Sequence, residues 1–375
     1  ILELCQGIAP DKVPGIYLRR GEDFFFTGHR TAMSREEFSQ TVLGLDFGGI
    51  PYSLYWRSLE ARYDGQITPH QLREIRTLRL YTTNYCPYDC AFCSATRFRS
   101  FVEGKKSQVV SLNAEEVLEA LEKVFAHHPQ AETIFFADDD FILNVQRCRD
   151  ICRGIITAKQ AGRLPASLSF IANTRLNNLN PELLSAMEEA GWRIVLCGVE
   201  SFSPRLLLEY DKKYPIDVVH TTLKHLFKTG IHPYLTIILF SPECTLEDVI
   251  INVRECIRYA LQGAGLGIYR YVMPLPGCRM IERDGIDIER QWVPIPGTDL
   301  SLEKVRRLLP KDPAVRELLF EMDRSMEARQ EELVRRFHIR HFSSRLYSLL
   351  FLYMLCEALE MKGLLRDVEY LLSKV

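Results

Sequence analysis

Three cysteines lie close together in the sequence with the spacing C-x3-C-x2-C. They are Cys86, Cys90 and Cys93. Thiolates at such short intervals are soft ligands that select iron–sulfur clusters or zinc. A structural zinc ion usually has four protein ligands, and no fourth cysteine or histidine follows nearby. Three cysteines would hold a cubane cluster with one iron open to an external ligand. The spacing therefore predicts a reactive metal site, with a zinc knuckle as the alternative.

A run of three carboxylates, Asp138 to Asp140, is the second feature that could do chemistry. Adjacent carboxylates repel one another unless a positively charged group lies beside them. The run therefore predicts a site for a cationic ligand, and a solvated acidic turn is the alternative interpretation.

Residues 74 to about 275 must position these groups, because short β-branched or aromatic runs alternate there with helical periodicity. Six such repeats predict an α/β fold whose parallel sheet carries helices outside and curls into a barrel or an open partial (β/α)6 barrel. The predicted strands span residues 78–81, 133–137, 168–172, 194–197, 234–240 and 268–272. Ligands bind at the carboxyl ends of such strands. The cysteines and aspartates follow the first and second strands, so we expect both groups to face one site.

Residues typical of helix starts indicate that the segments between the predicted strands are helical. Asn113 and Glu116 have the spacing of a capping box, and Thr245 begins a second such box. Asn180 is predicted to cap a further helix that stops at Gly191.

The composition is that of an ordinary globular protein. Among 375 residues, 47 lysines and arginines nearly balance 49 aspartates and glutamates, which argues against a surface for nucleic acid. Residues 346–359 are apolar but too short and too mixed for a membrane span, so they predict a buried helix. Eleven cysteines, an odd number without a signal peptide, indicate the reducing cytoplasm rather than a disulfide scaffold.

The flanks differ from the repeat region and divide the chain into three predicted parts. Residues 1–73 form an N-terminal extension, residues 74–277 the core, and residues 278–375 a helical C-terminal region that follows a proline-rich stretch. The chain begins with the residues ILEL, without methionine, and this start looks like the middle of an amphipathic helix. We therefore expect further natural sequence upstream.

The cysteine spacing, together with Phe92 and Ser94, resembles that of the radical S-adenosylmethionine (SAM) superfamily. The resemblance extends over about residues 78–277, because later motifs recur in order. It implies a [4Fe–4S] cluster on the three cysteines, whose open iron binds the amino and carboxylate groups of SAM. It also implies reductive cleavage of SAM to methionine and a 5′-deoxyadenosyl radical, which abstracts hydrogen from a substrate.

The same resemblance implies roles for acidic and hydroxyl residues. A Gly-Gly-Glu motif in the family receives the SAM amino group, and Asp138, Asp139 and Asp140 occupy that position here. Of these, Asp138 and Asp139 are the favoured ligands. The fourth strand ends in the motif GVES, similar to a family signature that binds the SAM ribose, so Glu200 and Ser201 are predicted at that site.

Cationic and amide residues complete the predicted cofactor site. Lys212 lies twelve residues after Glu200, where relatives of oxygen-independent coproporphyrinogen oxidase place a cation for the SAM carboxylate, and Lys213 is the alternative. Asn173 and Arg175 follow the third strand, where polar groups can face the same pocket. Arg175 is predicted to bind the SAM carboxylate or substrate, or else to form a structural salt bridge.

Two cysteines outside the triad are candidates for catalysis. Cys244 and Cys278 follow the fifth and sixth strands, near the predicted active face, and one of them could donate hydrogen to the substrate. Cys148 and Cys152 lie four residues apart on a predicted helix, and core packing is the favoured role for both.

The N-terminal extension narrows the predicted reaction. Its segment VPGIYLRRG at residues 13–21 resembles the linker between a cobalamin-binding domain and a radical SAM core. A complete cobalamin domain needs well over ~100 residues, so the resemblance implies descent from, or truncation of, the cobalamin-dependent group. Cobalamin is thus a candidate cofactor, and methylation of a small metabolite or natural product is the favoured reaction.

The alternatives are of two kinds. One is a cobalamin-independent radical dehydratase, epimerase or rearrangement enzyme, and the other is a non-catalytic iron–sulfur or zinc scaffold protein. The expected partners of the enzyme are a small-molecule substrate and an electron donor such as flavodoxin or ferredoxin.

Overall fold

The structure is a computed structural model that describes residues 2–21, 23–63, 67–294, 296, 301–337, 339 and 344–374. Its strands are β1 (Tyr17–Arg20), β2 (Asp23–Phe26), β3 (Thr77–Leu80), β4 (Thr133–Phe136), β5 (Ser169–Thr174), β6 (Trp192–Glu200), β7 (His232–Phe240), β8 (Gly265–Tyr271), β9 (Asp287–Pro294) and β10 (Ser301–Leu309). Its α-helices are α1 (Leu2–Cys5), α2 (Arg35–Leu43), α3 (Tyr52–Glu60), α4 (Pro69–Ile75), α5 (Ala95–Glu103), α6 (Ala114–His127), α7 (Val145–Gln160), α8 (Pro181–Ala190), α9 (Pro204–Glu209), α10 (Ile216–Leu226), α11 (Leu246–Leu261), α12 (Pro313–Arg336), α13 (Ser344–Ala358) and α14 (Lys362–Leu372).

Strands β3 to β8 form one parallel six-stranded sheet whose strand order follows the chain. Because each crossover is right-handed by default, this order puts the connecting helices on one face of the sheet. The pairing starts at β3 and ends at β8 without joining the two within the described residues, so the sheet is a partial barrel. The predicted α/β fold with six strands is confirmed.

Local sequence signals fix the ends of the connecting helices. Asn113 and Glu116 form a reciprocal capping box at the start of α6, and Thr245 does the same for α11. Asn180 caps α8, which ends at Gly191 with φ 106°, a left-handed conformation that glycine adopts without a steric penalty. These predicted boundaries are confirmed.

The two faces of the sheet differ in exposure. Leu78, Phe136, Phe170 and Trp192 lie on the helix side and are at most 1% exposed. The rings of the three aromatic residues pack together, and the centroids of Phe136 and Phe170 lie 5.8 Å apart. Several residues on the opposite side, here called the inner face, are partly or fully exposed, as at Phe135 and Arg79.

The C-terminal region contains a hairpin before its helices. Strands β9 and β10 pair antiparallel, whereas the sequence predicted only a proline-rich stretch here. The residues of β9 are mostly exposed, so the strand lacks the apolar alternation from which strands are predicted. Helix α13 is buried as predicted and covers the edge of β8, where the Ile268 backbone N–H donates to Ser348 Oγ (3.1 Å). Among the described residues, no helix has the length and apolarity needed to cross a membrane.

Candidate functional site

The cysteine loop joins β3 to α5. Cys86, Cys90 and Cys93 are free thiols, of which Cys90 is buried and the other two are partly exposed. The Cys93 backbone N–H donates to the Cys90 carbonyl (3.0 Å), and Thr96 Oγ1 donates to the carbonyls of Cys86 (2.7 Å) and Tyr88 (2.6 Å). The loop is therefore folded back on the first turn of α5.

Burial makes the thiols of Cys86 and Cys93 hard to ionise without a metal. It raises the pKa of Cys86 to about 12 and also raises the pKa of Cys93, and nearby carboxylates such as Asp139 act in the same direction. A bound metal reverses this effect because it deprotonates its thiol ligands.

The arrangement of donors fits a cluster better than a single metal ion. Among the described residues, no three His, Cys, Asp or Glu side chains converge on one metal position. In a cubane each cysteine binds a different iron, so the three thiolates need not converge on one point.

Arg175 lies at the centre of the site. Its Nη1 donates to Cys90 Sγ (3.0 Å), and its Nη2 donates to the Lys212 carbonyl. The guanidinium lies 4.0 Å from the ring centroid of Tyr88 and 5.2 Å from that of Tyr214. Arg175 thus joins the cysteine loop to the Lys212 turn, and its Nη atoms are already engaged, which disfavours the predicted role as a SAM carboxylate ligand.

The carboxylate of Asp138 is hydrogen-bonded to neighbouring protein groups. Its carboxylate accepts from the backbone N–H groups of Thr82 and Thr83 (2.7 Å each) and from Thr82 Oγ1 (2.6 Å). Arg147 Nη2 donates to the same Thr82 hydroxyl (2.7 Å). Asp138 is 1% exposed. The prediction that Asp138 receives the SAM amino group is therefore not supported, because its oxygens already have partners.

The next two aspartates remain candidates for the cationic ligand. Asp139 is exposed and lies near Cys86 and Cys93. Asp140 is buried, its Oδ1 accepts from the Arg175 backbone N–H (3.3 Å), and its Oδ2 has no partner among the described residues. Burial raises the pKa of Asp140 to about 6. A buried oxygen without a partner is rare in proteins and indicates a group that a ligand satisfies.

Two other predicted residues are part of the scaffold. Asn173 Nδ2 donates to the Asp138 carbonyl (3.0 Å) and so holds the aspartate turn in place. Ser201 is fully buried, and its Oγ donates to Asn252 Oδ1 (3.1 Å) while accepting from the Ser203 backbone N–H (3.0 Å). Its hydroxyl is therefore committed to the connection between β6 and α9.

Glu200 and Lys212 form a buried pair at the carboxyl end of β6. Lys212 Nζ lies 3.8 Å from Glu200 Oε1 and donates to the Gly198 carbonyl (2.7 Å). Glu200 has φ 67°, a left-handed conformation that costs a non-glycine residue energy and often marks functional sites. Burial raises the pKa of Glu200, and the neighbouring Lys212 and Arg175 oppose that rise. The structure thus brings together two residues that the sequence predicted for separate parts of the cofactor site.

The turn that carries Lys212 is held from the C-terminal side by Arg279. Its Nη2 donates to Asp211 Oδ2 (2.7 Å) and to the Asp89 carbonyl, and its Nε lies 3.3 Å from Asp89 Oδ2. Asp89 belongs to the cysteine loop, and Asp211 directly precedes Lys212. Both Asp211 and Lys213 have left-handed backbone conformations, with φ 57° and 62°. Arg279 therefore joins the cysteine loop to the Lys212 turn.

Backbone contacts reinforce this junction. The Ala91 N–H donates to the Tyr210 carbonyl (3.0 Å), and the Met280 N–H donates to the Ala91 carbonyl (3.1 Å). Arg279 was not predicted as a site residue. Its partner Asp89 lies 190 residues earlier in the chain, and no local pattern separates such an arginine from a surface arginine.

Replacing Arg279 by methionine should leave the cysteines in place but loosen their position relative to Lys212. We expect iron content to stay near that of the unmodified chain and SAM cleavage to slow about tenfold or more, because small misplacements of reacting groups have large kinetic effects. Single-turnover rates and iron analysis of the purified variant measure both quantities. Arg283→Met is the matched control, since Arg283 donates to Glu209 instead (3.0 Å). Equal rates in the two variants would contradict the positioning role.

Cys244 and Cys278, the two cysteines predicted to act in catalysis, are both buried. Each is 1% exposed. Cys278 Sγ donates to the Ala91 carbonyl (3.5 Å), and Cys244 Sγ accepts from the Ser241 backbone N–H (3.4 Å). A thiol that gives hydrogen to a substrate must reach it, so the predicted catalytic roles are not supported.

Comparison with known proteins agrees with this geometry. Residues 80–255 match the family model of the Radical SAM superfamily. The match includes the three cysteines, the aspartate run, Glu200 and Lys212. Residues 80–255 are therefore similar to a radical SAM domain, which favours an enzyme over the non-catalytic scaffold alternative.

A curated relative and two solved structures of one enzyme are similar to this chain. An uncharacterized methyltransferase of Pyrococcus horikoshii is 32% identical over 205 residues, which cover 54% of this chain and 40% of that protein. The radical SAM methyltransferase TsrM from Kitasatospora setae, with tryptophan substrate and a SAM analog bound, has a TM-score of 0.55 at 16% identity, covering 80% of this chain and 54% of TsrM. The structure of TsrM with cobalamin and a [4Fe–4S] cluster bound has a TM-score of 0.53 at 16% identity. This match covers 85% of this chain and 57% of TsrM. The chain therefore spans less than two thirds of each protein, and the likeness to TsrM concerns the fold.

Proposed function

We propose that this radical SAM enzyme holds a [4Fe–4S] cluster on Cys86, Cys90 and Cys93 and uses it to cleave SAM. When bound, the cluster would supply the electron for reductive cleavage of SAM to methionine and a 5′-deoxyadenosyl radical. The observation that carries the proposal is the convergence of the cysteine loop with the pair Glu200 and Lys212, through Arg175.

The chain's own residues would position SAM by charge. The exposed Asp139 accepts the SAM ammonium group, and the unpartnered Oδ2 of Asp140 lies in the same turn. Glu200 accepts from the two ribose hydroxyls, which a carboxylate can do with two oxygens. Lys212 stands 3.8 Å from Glu200 and supplies the cation for the SAM carboxylate.

Anaerobic reconstitution with iron and sulfide tests SAM cleavage directly. The expected result is 5′-deoxyadenosine and methionine in equal amounts when SAM and a strong reductant are added. Iron and sulfide incorporation without any 5′-deoxyadenosine would contradict cleavage.

We further propose that the reaction is methylation of a small molecule with cobalamin as a second cofactor. The similarity to a curated methyltransferase over 205 residues supports this choice. Cobalamin would supply a carrier for the methyl group. The alternative is a cobalamin-independent dehydration, epimerisation or rearrangement driven by the same radical.

Labelled SAM separates these two possibilities. The purified enzyme is incubated with cobalamin, reductant, SAM labelled in its methyl group and a small-molecule extract of cells. Methylation predicts cobalamin absorbance that co-elutes with protein and label that appears in a small molecule other than SAM or methionine. Formation of 5′-deoxyadenosine without either signal favours the alternative. Flavodoxin or ferredoxin is the proposed electron donor, and the cytoplasm the proposed location.

A further inference from the structure

The inner face of the sheet forms a groove beneath the proposed SAM site. In the pairing register, Arg79 lies beside Phe135, Phe135 beside Ile171, and Ile171 beside Ile194. These four residues form one layer across β3 to β6. Phe135, Ile171 and Ile194 are partly exposed and Arg79 is exposed, although all four lie in the central sheet of the molecule. Their exposure shows that none of the described residues covers them completely.

A pair of buried hydroxyl residues lies at the lower end of the groove. Two residues before Phe135 and Ile171 lie Thr133 and Ser169, each 3% exposed, with their hydroxyl oxygens 2.8 Å apart. Two residues after Phe135 lies Ala137, followed by the aspartate turn. At about 3.3 Å per residue, Thr133 and Ala137 are about 13 Å apart along the strand. The layer of Arg79 and Phe135 therefore lies between the buried hydroxyl pair and the proposed SAM site, and the strand there is about as long as a small molecule.

Arg79 is a cation without a counterion in this groove. Its guanidinium lies 5.5 Å from the ring centroid of Phe135, and it forms no ion pair with any described residue. The layer that contains Arg79 and the next layer, with Tyr81, Ala137 and Asn173, hold no carboxylate. The nearest acidic residues on this face, Asp139 and Glu200, lie at the upper end, where SAM is proposed.

The apolar residues of the layer define the rest of the ligand. Phe135, Ile171 and Ile194 offer a ring and two aliphatic side chains on the face that bears Arg79. Tyr81 follows Arg79 by two residues on β3, is 58% exposed and presents a second aromatic surface. Planar rings pack well against such side chains. A guanidinium binds carboxylates with two parallel hydrogen bonds.

We propose that this groove is the substrate subsite and that Arg79 binds the carboxylate of a small aromatic acid. The proposal rests on the proposed function, because it places the substrate beneath SAM on the same face of the sheet. Arg79 selects the anionic group, and Phe135 with Tyr81 receives the ring. The residue is thus a determinant of specificity and has no part in SAM binding.

Matched probes test the subsite. Phenylacetate and phenylacetamide have nearly the same shape and differ in charge. Their dissociation constants are measured by saturation-transfer NMR on the reconstituted enzyme with SAM present. We expect phenylacetate to bind about tenfold more tightly, the value of one charge-assisted hydrogen bond. Arg79→Met should remove this preference, and Arg79→Lys should retain part of it.

Arg193→Met is the control variant. Arg193 is also an exposed arginine of the same sheet, and it lies at the amino end of β6, outside the groove. Its replacement changes the net charge equally and should preserve the preference for phenylacetate. Equal or absent binding of the two probes, or a preference that survives Arg79→Met, would overturn the inference. Formation of 5′-deoxyadenosine by the unmodified chain is scored separately, so a failure of SAM cleavage is distinguished from a failure of the subsite.

Discussion

Replacing Cys86, Cys90 or Cys93 by alanine is expected to abolish SAM cleavage. Each cysteine would bind a different iron of the cluster, so the loss of one thiolate leaves an iron without its protein ligand. The cluster also lacks an alternative thiolate, because among the described residues no other cysteine lies in this loop. We therefore expect iron and sulfide content to fall sharply and 5′-deoxyadenosine to drop below detection.

Iron and sulfide analysis and product chromatography measure this result after anaerobic reconstitution. Cys5→Ala is one control, because Cys5 is exposed and distant in sequence. Cys278→Ala is the sharper control, since Cys278 is buried beside Ala91 of the cysteine loop. It should keep both the cluster and product formation. An alanine variant of the triad with full iron content and normal product would refute the assignment of that cysteine.

Alanine substitutions of the neighbouring residues Asp138 and Asp139 are expected to have different effects, one on stability and the other on SAM binding. Asp138→Ala should destabilise the fold by about 3 kcal/mol or more, because it leaves the buried N–H groups of Thr82 and Thr83 without an acceptor. It also removes the carboxylate near the largely buried Arg147, whose pKa is lowered by burial. The expected result is a lower denaturation midpoint even in the chain without iron.

Asp139→Ala should behave in the opposite way. The side chain is exposed, so stability should change by less than about 0.5 kcal/mol. Affinity for SAM should fall about tenfold or more, as expected when a charged partner of an ammonium group is lost. Thermal unfolding and equilibrium dialysis of SAM against the reconstituted enzyme separate the two variants. If Asp138→Ala were fully stable and only Asp139→Ala unfolded, the roles assigned from the geometry would be exchanged.

The strand order and the helix starts follow from signals that the sequence carries locally. A capping box such as that of Asn113 needs only residues within one turn, and the strands needed only short apolar runs. Boundaries were less accurate: β6 runs from Trp192 to Glu200, beyond the predicted 194–197. The exposed hairpin of β9 and β10 was missed because it has no apolar alternation.

The sequence by itself determined the cysteine triad and its place after the first strand of a six-stranded parallel sheet. Close spacing of three thiolates is chemically specific, and the alternation of strands and helices fixes the edge of the sheet at which they lie. Only the tertiary structure decided which neighbours act with them. It assigned Asp138 to the scaffold, buried Cys244 and Cys278, and brought Arg279 to the cysteine loop. Burial and hydrogen-bond partners depend on contacts between residues far apart in the chain, and no local pattern encodes them.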